Sequence, residues 1–225
     1  MPHLHRDQIR SVLESEYTRT VDRGRLPVVE RELTRLTRED IKGAVVELGC
    51  YRGAMTTWVR AVLTALGDER AVHTYDSFQG LPRGGEKDNA AVPAGEFTAG
   101  PEDVTALHDR FGLRRPTVHP GWFADTLPGR LPDTIAFVYL DGDMYDSILT
   151  GLTHCVPRLA PGAVVLVDDY ADPTVPLDQP TVAKPKYPGV LKACQDYFAA
   201  APYPVTCAAE SCELGIYRQP QPAAV

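Results

Sequence analysis

The chain has 225 residues, 44% hydrophobic and 24% charged, enough for one substantial α/β domain and short for two. Its formal charge of −7 gives no basic footprint for nucleic acid, and no run approaches the ~20 apolar residues that span a bilayer. The charged start MPHLHRDQIRSVLESEY lacks an apolar leader core, so a cytoplasmic location is the default expectation. Five cysteines (Cys50, Cys155, Cys194, Cys207 and Cys212) fall into no zinc or C-x-x-C spacing, and read as reduced, mostly buried thiols.

Residues 1–40 are polar and helical in pattern, broken near Arg23-Gly24-Arg25-Leu26-Pro27. Gly43 to Gly49 is short, β-branched and closed by glycine, as a buried strand should be. Met55, Trp58, Val59, Val62 and Leu63 then recur at helical spacing until Gly67, a C-cap signal. Val72–Asp76 is a second strand. Residues 78–100, rich in Gly, Pro and charge, predict a long mobile loop, either a lid or an exposed disordered stretch. A helix over 102–111, a strand over 115–119, an apolar strand over 135–140, a helix over 145–159 and an apolar strand over 163–167 follow. After Tyr170 come a Pro-rich loop, a helix over 190–200 and two strands within 203–217 around Glu210-Ser211. Uninterrupted apolar strands separated by helices indicate a parallel sheet covered on both faces.

In such a sheet ligands bind beyond the carboxyl ends of the strands, and four strand ends here carry polar or glycine-rich signals. Glu47-Leu48-Gly49-Cys50-Tyr51-Arg52-Gly53 offers a sharp turn and a helix N-terminus, but Tyr51 breaks the G-x-G-x-x-G fingerprint. That missing glycine disfavours a nicotinamide dehydrogenase. Asp76 ends the next strand, where a carboxylate can accept from both ribose hydroxyls; a turn or helix-cap Asp is the plainer alternative. Asp141, Asp143 and Asp146 crowd behind the strand over 135–140. A helix dipole accounts for Asp143 or Asp146, and poorly for Asp141. Asp168-Asp169 terminates a purely apolar strand, and neighbouring parallel strands would bring the pair near Asp141, a donor set suited to Mg²⁺. A non-catalytic cofactor-binding or interaction domain would have no use for these carboxylates.

Five stretches then become recognisable together: VVELGCYRGAMTTW (45–58), YDSFQGLP (75–82), GWFADTLP (121–128), IAFVYLDGDMYDS (135–147) and PGAVVLVDDY (161–170). In these the chain resembles the macrocin O-methyltransferase (TylF-like) family of natural-product sugar methyltransferases. The resemblance implies a Rossmann-like class I methyltransferase fold, a seven-stranded mostly parallel sheet with helices on both faces and an antiparallel C-terminal strand pair. Residues 1–40 would form an N-terminal helical cap, 41–218 the methyltransferase domain and 219–225 a disordered tail. It implies S-adenosylmethionine as donor and Mg²⁺ as cofactor. Glu47, Gly49 and Gly53, with Cys50 and Tyr51 in the same turn, would face the methionine end, and Asp76 the ribose. Ser77 and Trp122 would lie near the adenosine. Asp141, Asp168 and Asp169 would be the metal ligands. Asp141 is the first choice for deprotonating the acceptor, Asp143 the second, and His73, His119 and His154 weaker ones, since a lone His near a core strand is more often packing. The acceptor would be a glycosylated small molecule, with homo-oligomerisation left open. The alternative is a metal-dependent methyltransferase of a catechol or phenol; those enzymes place a lysine shortly after the first metal aspartate, where this chain has Gly142, Asp143 and Met144. The departures are the Pro-rich stretch with Lys184, Lys186 and Tyr187, and the weakly matched N-terminal segment, both regions that shape an acceptor pocket.

Overall fold

The computed structural model describes residues 2–172, 185–199 and 204–221; the Pro-rich segment 173–184, with Lys184, and the final residues 222–225 lie outside them. Two N-terminal helices, α1 (Pro2–Glu16) and α2 (Arg25–Arg38), precede the alternating part. That part runs β1 (Ala44–Leu48), α3 (Ala54–Leu66), β2 (Val72–Asp76), α4 (Pro101–Arg110), β3 (Thr117–Pro120), α5 (Phe123–Arg130), β4 (Ile135–Leu140), α6 (Tyr145–Cys155), β5 (Leu159–Asp168), α7 (Pro188–Phe198), β6 (Thr206–Ala208) and β7 (Ser211–Arg218). The strands form one seven-stranded sheet in the order β3-β2-β1-β4-β5-β7-β6. β1 to β5 pair in parallel, while β7 pairs antiparallel with both β5 and β6. This is the sheet the sequence patterns predict, including the antiparallel pair at the C-terminal end.

The uninterrupted apolar strands are buried on both faces. Val45, Phe137, Tyr139, Val164, Leu166, Leu214 and Ile216 point into one core layer. Val46, Leu48, Val138, Leu140, Val165 and Val167 point into the other, against Ile148, Leu152, Val190 and Cys194 of α6 and α7. α1 and α2 contribute Ile9, Leu13, Leu26, Val28, Val29, Leu33 and Leu36 to the first layer, so they share its core and pack on α3. Each such aliphatic burial stabilises by roughly 1.5–3 kcal/mol before entropy is counted. The buried Trp58 indole donates to the Leu26 carbonyl at 3.0 Å, pinning α2 to α3.

Several boundaries differ from the sequence reading, each with a local cause. The helix expected over 145–159 ends at Cys155 and passes into a 3₁₀ turn over Val156–Arg158, because Pro157 cannot continue the α-helical hydrogen bonds. β5 begins at Leu159, four residues before the expected strand, with a register shift against β4 between Ile135 and Phe137. The short helix α5 has no counterpart in the sequence reading, since Pro128 and Gly129 mask its eight residues. Gln219 does not fray: its N–H donates to the Ala163 carbonyl and its carbonyl accepts from Gly162. The 78–100 loop has no helix or strand, yet Leu81 and Gly95–Glu96 pair across it at 2.8 and 2.9 Å, and Asp88 accepts from the first amide of α6. Among the described residues Cys50, Cys155 and Cys194 are buried free thiols, and no helix is long and apolar enough to cross a membrane.

Candidate active site

The register aligns the carboxyl ends of β2, β1, β4 and β5, pairing Leu48 with both Tyr75 and Leu140, and Leu140 with Val167. The chain order reverses between β1 and β4, the switch point at which open α/β sheets bind ligands. A cleft of about 710 Å³ opens there. Its lining includes Glu47, Gly49, Cys50, Tyr51, Asp76, Ser77, Trp122, Asp141, Asp143, Asp168 and Asp169, so all but Gly53 of the site residues expected from sequence reach it. Arg19, Asp22, Arg25, Phe97, Lys186 and Tyr187 complete it from the N-terminal, 78–100 and post-β5 segments.

At the β1–β2 side, Asp76 accepts from the Tyr51 amide on Oδ2 and the Phe78 amide on Oδ1, both at 2.8 Å. Burial raises its proton affinity, and the backbone donors of Phe78, Tyr51 and Cys50 oppose that. Each oxygen retains a lone pair, as a carboxylate receiving two vicinal hydroxyls needs. Glu47 is fully buried; the Thr56 hydroxyl makes a short hydrogen bond to its Oε2 and Thr74 donates to the same oxygen at 3.1 Å. Burial pushes Glu47 up to about 7, with these hydroxyls working the other way. Ser77 is tied into its own turn, donating to the Gly80 carbonyl and accepting from the Gln79 amide.

The two glycines of the β1–α3 turn serve close approach of a different kind from the one the motif suggests. Gly49 has φ +89°, and a Cβ there would overlap the Asp141 carbonyl oxygen. Gly53 has φ +79°, and its Cβ would sit 2.9 Å from the Val104 side chain of α4. Both positions therefore fit protein against protein.

At the β4–β5 side the carboxylates of Asp141, Asp143 and Asp169 lie with oxygens within 4.8 Å of one another. Asp143 and Asp169 hold left-handed backbone at φ 56° and 54°, a strained geometry that clusters at functional sites. Burial, followed by the charges of Asp168, Asp143 and Asp169, holds Asp141 well above the usual carboxylate range. Burial and Asp169 do the same to Asp143. Three hard oxygens so spaced fit a divalent cation with metal–oxygen distances of about 2.0–2.6 Å. Asp168, expected among the ligands, lines the same cleft: it is 2% exposed, accepts from the Tyr139 hydroxyl at 2.8 Å and the Asp169 amide at 2.9 Å, and lies 2.7 Å from Arg25 Nε. Asp143 joins Asp141 and Asp169 in this cluster, and Asp168, the last residue of β5, adjoins it through Asp169.

Arg25, Tyr139, Thr56 and Thr74 are the functional neighbours sequence reasoning missed. Arg25 donates to Asp169 across 144 positions, so only its place at a helix break was visible. His73 and His119 contact each other at 3.0 Å beside Tyr75, and neither they nor His154 are among the cleft-lining residues.

Known proteins share these features. The profile of the TylF macrocin-O-methyltransferase family matches residues 6–177. The chain is 40% identical over 143 residues to the 8-demethyl-8-(2,3-dimethoxy-α-L-rhamnosyl)-tetracenomycin-C 4′-O-methyltransferase of Streptomyces olivaceus, covering 59% of this chain and 55% of that protein. It is 34% identical over 148 residues to the mycinamicin III 3″-O-methyltransferase of Micromonospora griseorubida, covering 60% of this chain and 58% of that protein. The chain thus spans little more than half the length of these curated relatives. Among solved structures, the O-methyltransferase NovP superposes with a TM-score of 0.79 at 23% identity, covering 98% of this chain and 100% of that one. With its family motifs gathered at one sheet edge, the chain belongs to the TylF macrocin-O-methyltransferase family.

Proposed function

We propose that this protein transfers a methyl group from S-adenosylmethionine to a hydroxyl of a sugar carried by a secondary metabolite, assisted by Mg²⁺. The observation that carries the reading is one cleft with the backbone-held carboxylate of Asp76 at one end and the Asp141–Asp143–Asp169 cluster at the other. The relatives support it, since one is named for 4′-O-methylation of a rhamnosyl tetracenomycin.

The donor supplies an electrophilic methyl on a sulfonium, and a divalent ion at the triad supplies Lewis-acid polarisation of a hydroxyl that is otherwise a poor nucleophile. The rest falls to the chain. Asp76, held by two backbone amides, would fix the ribose, and Glu47, Cys50 and Tyr51 would line the methionine end. Ser77 and Trp122 would border the adenosine. Asp141 would take the acceptor's proton on its carboxylate, with Asp143 the neighbouring alternative, both standing at the β4 end of the cleft. Lys186, Tyr187 and Phe97 would cover the acceptor side, excluding water and fixing the in-line approach on which the rate depends.

The test is a panel of glycosylated polyketide and aminocoumarin acceptors with methyl-labelled donor, with Mg²⁺ or chelator. Labelled sugar in the Mg²⁺ arm alone is the expected outcome. Turnover of simple catechols in preference to every glycoside would replace the acceptor class, and no heat of binding for S-adenosylhomocysteine would remove the assignment altogether.

A further inference from the structure

Four aspartates meet at the β4–β5 end of the cleft, and the charge facing them is unevenly supplied. Arg25, the first residue of α2, is 12% exposed, with Nε 2.7 Å from Asp168 Oδ1, Nη2 2.9 Å from Asp169 Oδ1 and Nη2 4.0 Å from Glu213 Oε2. One guanidinium thus serves three carboxylates. Its Nε approach to Asp168 is an ion pair without hydrogen-bond geometry, leaving a buried N–H unsatisfied. Asp169 is shared more sharply still: Oδ1 accepts from Arg25, while the same carboxylate belongs to the triad with Asp141 and Asp143.

A cation entering the triad and the Arg25 guanidinium therefore draw on one carboxylate. We propose that Arg25 is the built-in counter-cation of this cluster: it holds Asp168 and Asp169 together without an ion, and it weakens divalent-ion binding by competing for Asp169. The inference rests on the divalent-ion reading above and extends it to a residue from the N-terminal segment. Arg25 is a positioning residue in this account, acting through Asp168 and Asp169. Two physical consequences separate it from a helix anchor. Removing the guanidinium leaves the buried Asp168 with the Tyr139 hydroxyl and the Asp169 amide but no positive charge, which destabilises the ion-free protein. It also removes a unit positive charge a few ångströms from the ion and releases Asp168 and Asp169 to it, which tightens binding. An anchor predicts the first effect without the second.

The experiment titrates Mg²⁺ into the full chain by calorimetry for wild type, Arg25→Gln and Arg25→Lys, and follows melting of each in chelator and in saturating Mg²⁺. Arg25→Gln should bind Mg²⁺ about tenfold more tightly, melt at lower temperature in chelator, and gain more from added Mg²⁺ than wild type. Arg25→Lys, a point charge that cannot fork between two carboxylates, should fall between them, and it carries the test if the Gln variant does not fold. Unchanged or weaker Mg²⁺ binding in the variants, with wild type binding normally, overturns the counter-cation role and leaves the ion reading standing. No Mg²⁺ binding by any of the three proteins overturns both.

Discussion

The two ends of the cleft handle buried carboxylates in opposite ways. Glu47 and Asp76 are each met locally, by two threonine hydroxyls and by two backbone amides, all within about thirty positions along the chain. Asp141, Asp143, Asp168 and Asp169 crowd one another, with the Tyr139 hydroxyl and the Asp169 amide on Asp168, the Lys186 charge near Asp143 and an arginine from the far end of the sequence as their counterparts. The first arrangement is complete without a ligand. The second leaves negative charge uncompensated, and a charge-deficient pocket is where a cation adds most.

The largest expected effect breaks both ends at once. Gly49 is where the donor-side turn crosses the acid-side turn, at φ +89° with the Asp141 carbonyl against its Cα. Gly49→Ala should cost more than about 4 kcal/mol, enough to abolish folding or to lose S-adenosylhomocysteine and Mg²⁺ binding together. Equilibrium unfolding and calorimetry check it, and loss of one ligand alone would show that the two ends are not joined through this crossing.

Next in size is Asp141→Asn. Because it removes the proposed base and a corner of the triad, it should lower kcat roughly 10²–10⁴-fold in the labelled-methyl assay. The same change removes one of several crowded like charges, so in chelator the variant should melt above wild type. A fall in activity accompanied by a lower melting temperature in chelator would show a structural carboxylate instead.

Asp76→Ala should act at the other end only. Losing a charged acceptor of two hydroxyls weakens S-adenosylhomocysteine binding roughly 10–100-fold, while Mg²⁺ affinity stays within error. A matching loss of Mg²⁺ affinity would collapse the distinction between the ends.

How much of this was legible in the sequence follows the same division. β1, β4 and β5 announce themselves as apolar runs because both faces of each are buried, and the carboxylates at their ends follow from the rule for open sheets. Glu47, Asp76, Asp141 and Asp169 could therefore be placed before any coordinates. What sequence could not supply was the pairing of charges across space. Adjacent Asp168 and Asp169 look equivalent as letters, but β5 ends between them: Asp168 meets the Tyr139 hydroxyl, the left-handed Asp169 meets Asp141 and Asp143, and Arg25 reaches both. Arg25 looked like part of a helix break because the contacts that define it lie across the sheet. The helix α5 was hidden by Pro128, whose missing N–H matters little in an eight-residue helix.

The smallest effect tests whether the donor end is self-sufficient. Burial raises Glu47 from 4.5 to about 7 in the folded protein. A carboxyl whose folded pKa lies above its unfolded value contributes stability fully present below about 4.5 and lost as pH rises through about 7. Wild type should accordingly lose stability between those values, and Glu47→Gln, with no proton to release, should lose less. Asp168, also pushed by burial to about 7 against the pull of Arg25, remains in both proteins, so the difference between their curves belongs to Glu47. Urea unfolding at intervals from pH 5 to pH 8 measures that difference, and parallel curves would mean that Glu47 is ionised in place. Repeating the series with Mg²⁺ sharpens the contrast. The ion should flatten the pH dependence shared by the two proteins, because it compensates the acid end, and leave the gap between them unchanged, because Glu47 is met by Thr56, Thr74 and the neighbouring Asp76 charge and by none of the acid-end groups. A gap that closes with Mg²⁺ would show that the ion's field reaches across the crossing at Gly49, and the two ends would then have to be treated as one electrostatic unit.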